Sequence, residues 1–191
     1  MLSRALPLLA ACLIPLPAGA RSLDREGTVS VLPTVRLASK PEGLQGGGAA
    51  PGLTLAFGYK PSRDLRVGID VGAGMGRGET RDGRYGITSV PVLLAFDWIL
   101  APDSEVRPVL QAAVGKALIA VSQGHYYAEH APFVVQVTAG VHADVSGALG
   151  ILLDAGYLVG RATDKNLGRV DGGGPFVRAG VTFRFEPTRG Q

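Results

Sequence analysis

Apolar and polar residues alternate one by one through most of this chain, segment after segment. In Leu65–Gly76, one parity holds Leu65, Val67, Ile69, Val71, Ala73 and Met75. The other holds Arg66, Gly68, Asp70, Gly72, Gly74 and Gly76. Successive side chains of a strand point to opposite faces, so this period marks a strand with one apolar face. A helix would not sort these residues, and each interior glycine would cost it about 1 kcal/mol. The last such segment sets Val177, Ala179, Val181, Phe183 and Phe185 against Arg178, Gly180, Thr182 and Arg184. Less regular alternation covers about 28–38, 52–60, 87–100, 107–120, 133–143 and 148–159, giving about eight strands. A membrane-crossing strand tilted about 45° needs roughly nine to eleven residues, and most of these segments suffice.

The connections alternate in length. Pro61-Ser62-Arg63-Asp64, Ala101 to Val106 and Asp144 to Gly147 are tight turns. The others, at about 39–51, 77–86, 121–132 and 160–175, are long enough for loops. Short turns at one rim and longer loops at the other are the pattern of outer-membrane barrels. An even strand count then leaves both chain ends in the periplasm. Phe57 and Tyr59, Phe96 and Trp98, and Phe183 and Phe185 close the second, fourth and eighth strands, all on the large-apolar parity. Together they form an expected aromatic girdle at one membrane interface. Phe133 and Tyr157 are the expected counterparts at the other.

Composition decides which face points inward. Charged residues make up 18% of the 191 positions, hydrophobic ones 46%, and there are 28 glycines. A soluble lipocalin-like barrel would show a water-facing surface that is about 25–35% charged. Here the face opposite the large apolar residues is mostly Gly, Ala, Ser and Thr. Its sparse ionisable residues are Arg36, Lys60, Asp70, Asp97, His142, Asp154, Arg178 and Arg184. Small residues with a few opposite charges suit the crowded interior of an eight-stranded barrel, and the apolar face then meets lipid. Lys116 breaks the pattern: by parity from Leu110 it faces lipid, so a bulge or an interfacial position is expected there.

The expected fold is therefore all-β: an antiparallel up-and-down transmembrane β-barrel after an N-terminal signal peptide. Residues 1–20 read as that peptide, with Arg4 as the basic region, Ala5 to Pro17 as the apolar region and Ala18-Gly19-Ala20 as the cleavage site. Residues 21–191 form the barrel domain. Leu9-Ala10-Ala11-Cys12 resembles a lipobox, but it lies early for one, and Cys12 reads better as a small residue of the apolar region. No run reaches the roughly 18 apolar residues of a spanning helix. The net charge of +3 is scattered and forms no nucleic-acid patch.

These features resemble the small outer-membrane β-barrel family of OmpA-like and OmpX-like type, over about residues 28–185. The residues that carry the resemblance are Ser89-Val90-Pro91-Val92-Leu93-Leu94 and Gly180-Val181-Thr182-Phe183-Arg184-Phe185. The resemblance implies a Gram-negative outer-membrane location. It also implies that Phe185 is the terminal aromatic met by the barrel-assembly machinery, although here the chain continues from Glu186 to Gln191. A monomer surrounded by outer-membrane lipid, with no cofactor and no nucleic-acid partner, is the expected state.

Candidate chemistry is sparse. Asp70, Asp97 and Asp154, with Arg36, Arg178, Arg184 and Lys60 to neutralise them, form an expected lumen charge network. Buried charges must pair, because each carries a desolvation cost of several kcal/mol. Such a network either plugs the lumen or lines a narrow ion path, and the filled interior of eight strands favours the plug. In the third long connection, His125, Glu129 and His130 offer metal-ligand types, and Ser122, Glu129 and His130 offer the groups of a lipid A-modifying enzyme. Neither set has a defined geometry, and a solvated loop is the expectation, with no enzymatic activity. Arg77, Glu79, Arg81, Asp82 and Arg84 make the second connection strongly charged, as Arg161, Asp164, Lys165, Arg169 and Asp171 do the fourth. Mixed charge there is solvated or bridges lipopolysaccharide phosphates. Gly46-Gly47-Gly48 and Gly172-Gly173-Gly174 read as flexible loop elements.

Overall fold

The computed structural model describes residues 26–37, 49–80, 83–164, 168–171 and 173–185. The side chains of 78–83 and 162–171 lie outside what is described, as do the expected signal peptide, Cys12 and Gly46-Gly47-Gly48. Ten strand segments follow one another: β1 (Glu26–Leu37), β2 (Ala49–Lys60), β3 (Leu65–Thr80), β4 (Gly83–Ile99), β5 (Val106–Gln123), β6 (Tyr126–His130), β7 (Phe133–Asp144), β8 (Leu149–Asp164), β9 (Gly168–Asp171) and β10 (Gly174–Phe185). Each pairs antiparallel with its neighbours, and β10 pairs with both β8 and β1, which closes the sheet.

The ten segments make eight staves. β6 and β7 continue one register against β5: His130 faces Ile119, and Phe133 faces Lys116. They are separated only by Ala131 and Pro132, where proline has no N–H to donate to the ladder. The Ala117 N–H still donates to the Pro132 carbonyl at 3.1 Å. β9 and β10 likewise share one register against β8. The ladders run from Gly27 through Tyr59, Val67, Phe96, Ala112, Val137, Tyr157 and Pro175. This path returns to β1 one step past Arg36↔Phe176, at Leu37, ten residues from its start. With eight staves and standard strand spacings, that stagger tilts the strands by about 40°.

At one rim, referred to below as the lower rim, the connections are tight and tied back to the wall. The Ile99 N–H donates to the Asp64 carbonyl at 2.8 Å, and the Arg184 N–H to the Ala148 carbonyl at 2.9 Å. The other rim differs from the sequence expectation. The connections read as loops at 77–86, 121–132 and 160–175 are largely strand. β5 turns into β6 through Gly124 and His125 alone, with Gly124 at φ +57°, where glycine is favoured. β3 pairs with β4 out to Thr80↔Gly83, while the β2–β3 ladder stops at Gly52↔Gly74. The outer parts of β3, β4, β5 and β6 therefore form a four-stranded sheet that rises above the barrel. Gly174 is also not a loop element: it opens β10 opposite Leu158 at φ +138°.

The faces are strongly unlike. Outward, large apolar side chains are exposed on every stave, among them Val35, Leu55, Ile69, Leu94, Leu110, Val137, Leu153 and Val181. Inward lie two populations. A polar set fills the lower half and an apolar cluster the outer half: Leu93, Ala113, Ala117, Ile119, Val121, Val134, Leu158 and Phe176. Phe176, Leu158 and Ala113 stand two to four residues further toward the outer rim than the polar residues below them on β10, β8 and β5.

Candidate functional site: the lumen network

Arg178 is the centre of the polar half. It stands on β10 and is 4% exposed. Its Nε donates to Asp154 Oδ2 on adjacent β8 at 3.1 Å. Its Nη1 reaches across to Asp70 Oδ2 on β3 at 3.2 Å, and its Nη2 reaches Gln111 Oε1 on β5 at 2.9 Å. β3 and β5 are each three staves from β10, in opposite directions round the barrel. One planar guanidinium thus ties together three sides of the lumen, and its fork of donors fits that task. The Phe176 ring lies above it, 5.8 Å from centroid to guanidinium carbon.

A second layer continues downward. Gln111 Nε2 donates to Asp97 Oδ1 at 2.8 Å, and Arg66 pairs with the other Asp97 oxygen. Gln136 and Thr138 both donate to Gln111 Oε1, at 3.0 and 3.4 Å. His142 Nε2 lies 3.6 Å from Asp154 Oδ1. At the lower rim, Glu26 joins Lys60 at 3.2 Å and Arg184 at 3.1 Å, and Asp144 takes both Arg184 and Arg107.

Glycines make space for these groups. A Cβ at Gly140 would overlap Asp154 Oδ1, and one at Gly58 would come within 2.7 Å of Arg66 Cδ. Small cavities of about 20, 10 and 10 Å³ follow the axis. Each has room for about one water. Arg178 lines the two upper cavities.

The structure brings Asp70, Asp154 and Arg178 into direct contact. Asp97 joins them through Gln111. Arg178 is among the expected neutralising partners; the other pairings differ from the expected ones. Asp97 is held by Arg66, while Lys60 and Arg184 pair with Glu26, and Arg36 lines the uppermost cavity beside Thr34 and Thr54. Sequence reasoning missed Arg66, Arg107, Gln111, Gln136, Glu26 and Asp144. Parity would have found Arg66 and Gln111, since Arg66 alternates in step with Asp70 and Gln111 takes the face opposite lipid-facing Leu110.

The six girdle aromatics gather at the lower rim. Val29 stands in register between Phe57 and Phe183, and Gly27 between Tyr59 and Phe185, with the Phe185 ring over Gly27. Phe96 pairs with Val67, and Trp98 with Leu65. Lys116 is exposed within an unbroken register, so no bulge accommodates it. Phe133 and Tyr157 are exposed on the outward face, 64% and 51%.

His125 sits in the β5–β6 turn. Glu129 faces outward beside Tyr127, whose hydroxyl donates to it, while His130 takes the inward parity. Strand alternation therefore separates His130 from Ser122 and Glu129, which share the outer face. Among the described residues, no group of three or more metal-ligating side chains converges.

Comparison with solved structures matches this architecture. The chain has the fold of the small outer-membrane β-barrels. Neisserial surface protein A superposes with a TM-score of 0.54 at 14% identity, over 86% of this chain and 97% of that one. Ail, the attachment invasion locus protein of Yersinia pestis, gives 0.53 at 13%, over 85% and 99%. At such identities the likeness is one of fold. No protein-family model matches the chain, and no curated protein does.

Proposed function

We propose that this chain is an exported bacterial outer-membrane protein with a structural or surface-interaction role, and that its lumen is closed. The barrel is a lipid-embedded anchor, and the four-stranded outer sheet is the part presented to the surroundings. The carrying observation is Arg178, a single side chain that bridges β3, β5 and β8 across the lumen beneath an apolar cluster. Apolar side chains exposed on every stave support lipid as the surrounding solvent, since water would leave that surface uncovered. The aromatics at the lower rim fit a headgroup interface.

Planar-bilayer recording tests the closed lumen. The folded wild-type barrel is expected to give no steady conductance. Arg178→Ala, which joins the cavities above and below it, is expected to give small openings. Steady wild-type conductance that changes with Asp70→Asn would overturn the plug and establish the narrow ion path.

A further inference from the structure

One row of the outer wall carries charge among apolar neighbours. Lys116 on β5 pairs with Val92 of β4 on one side and Phe133 of β7 on the other. Along its own strand, the residues on the same face are Val114 and Leu118. One step past Val134↔Gly160, the β7–β8 register sets Arg161 beside Phe133. Lys116, Phe133 and Arg161 are all exposed. Two strand spacings separate the backbones of the two cations, about 10 Å.

Among the described residues, neither cation makes a hydrogen bond or an ion pair. The nearest acidic position in the ladder is Asp171 on β9, opposite Arg161. Lys116 has no such neighbour.

The row stands where the apolar belt ends. Toward the lower rim the outward face carries Val114, Leu94, Val135 and Val137. Toward the outer rim it carries Leu118 and then Ala120, Ser122, Ala131, Tyr127 and Glu129, so the large aliphatic residues give way within one step of the row. A cation is costly at the membrane midplane and tolerable near its surface, where the stem can carry the charge up to the headgroups. Two cations with no partner among the described residues, set around an exposed aromatic, call for an anion that is itself attached to acyl chains.

We propose that Lys116 and Arg161, flanking Phe133, form a binding site for the phosphates of an outer-leaflet glycolipid headgroup, lipid A. Phe133 lies against its acyl chains. The separation of the cations favours a headgroup with two phosphates, and the guanidinium fork of Arg161 suits phosphate oxygens. This site rests on the membrane reading above.

The test uses the protein purified from membranes of expressing cells and folded in detergent micelles. Heat-dependent gel mobility is recorded for every variant. Bisphosphorylated lipid A, its monophosphoryl form and phosphatidylglycerol are then added separately, and bound lipid is counted by native mass spectrometry. Lys116→Gln and Arg161→Gln are each expected to retain about tenfold less bisphosphorylated lipid A, as loss of one charge-assisted contact implies. Arg77→Gln removes an exposed cation from β3, away from the row, and is expected to bind as wild type. Phosphatidylglycerol is expected to bind weakly and to be indifferent to all three substitutions. Equal retention by the row variants and wild type, an equal loss in Arg77→Gln, or phosphatidylglycerol held as well as lipid A would each overturn the site. A wild-type chain that does not fold in micelles overturns the membrane reading and the site with it. A folded barrel with indifferent variants overturns the site alone.

Discussion

Replacing Arg178 with Met keeps most of the side-chain volume and removes every charge-assisted bond at the centre of the lumen. Asp70 and Asp154, 4% exposed each, then face each other without a cation between them. Removing one partner of a buried ion pair costs about 3–5 kcal/mol, because the remaining charge keeps its desolvation penalty. Arg66 and His142 stay nearby and can offset part of this, so a loss of about 3 kcal/mol is expected. Arg178→Met combined with Asp70→Asn and Asp154→Asn removes the orphaned charges as well. That triple variant is expected within about 1–2 kcal/mol of wild type, since neutral replacement of a whole buried network is often tolerated. Urea unfolding in lipid vesicles measures both, with Trp98, the chain's single tryptophan, as the fluorescent reporter. With a urea slope of about 1–3 kcal/mol per molar, the single variant's midpoint should fall by roughly 1–3 M. A fall equivalent to less than about 1 kcal/mol would show that water already solvates these carboxylates, which refutes the sealed network. A triple variant less stable than Arg178→Met would refute the assignment of the cost to orphaned charge.

Two further substitutions test the wall around the network. Gly140→Ala sets a Cβ onto the Asp154 carboxylate and is expected to cost about 1–3 kcal/mol in the same urea experiment. Gly74→Ala meets nothing nearer than the Pro51 carbonyl oxygen at 3.6 Å and is expected within about 0.5 kcal/mol of wild type. Phe185→Ala uncovers Gly27 at the β1–β10 seam and is expected to lower stability by about 1 kcal/mol, read as a lower temperature at which the fast-migrating gel band is lost.

The barrel itself was legible because a strand with two unlike environments writes them on alternate residues. Leu65–Gly76 and Val177–Phe185 hold that alternation without a break, and both lie on the wall in the parity read from the sequence. What was not legible is what depends on pairing between distant strands. Gly78, Gly83 and Gly86 look like loop material, yet they lie in the β3–β4 ladder, because antiparallel neighbours supply hydrogen bonds whatever their local preference. Pro132 ends one strand segment without ending the stave. Here register, set by the whole of β5, outweighs one missing donor. The pairing of Asp97 with Arg66 was not legible for the same reason: parity says which side chains enter the lumen, but only register and stagger say at what level they meet.

That stagger also explains why one arginine can span the lumen. A path along the hydrogen bonds climbs the wall by ten residues in one circuit, so residues meeting at one level lie at different distances along their strands. Counted from the lower rim, Asp70 is the sixth residue of β3 and Gln111 the sixth of β5, whereas Arg178 is the eighth of β10, where β1 offers Leu32 and Thr34 inward. Asp70 sits three staves from Arg178, and the two staves between them, β1 and β2, carry Leu32 and Ala56 inward. These small or apolar residues offer the charges no competing partners. The long arginine is therefore directed across the lumen rather than along the wall, and the glycines beneath Asp154 and Arg66 leave the room it needs. The abundance of glycine that marks the composition and the ion network across the lumen are thus one feature: a narrow barrel takes in such a network only where its wall gives up side chains to make room.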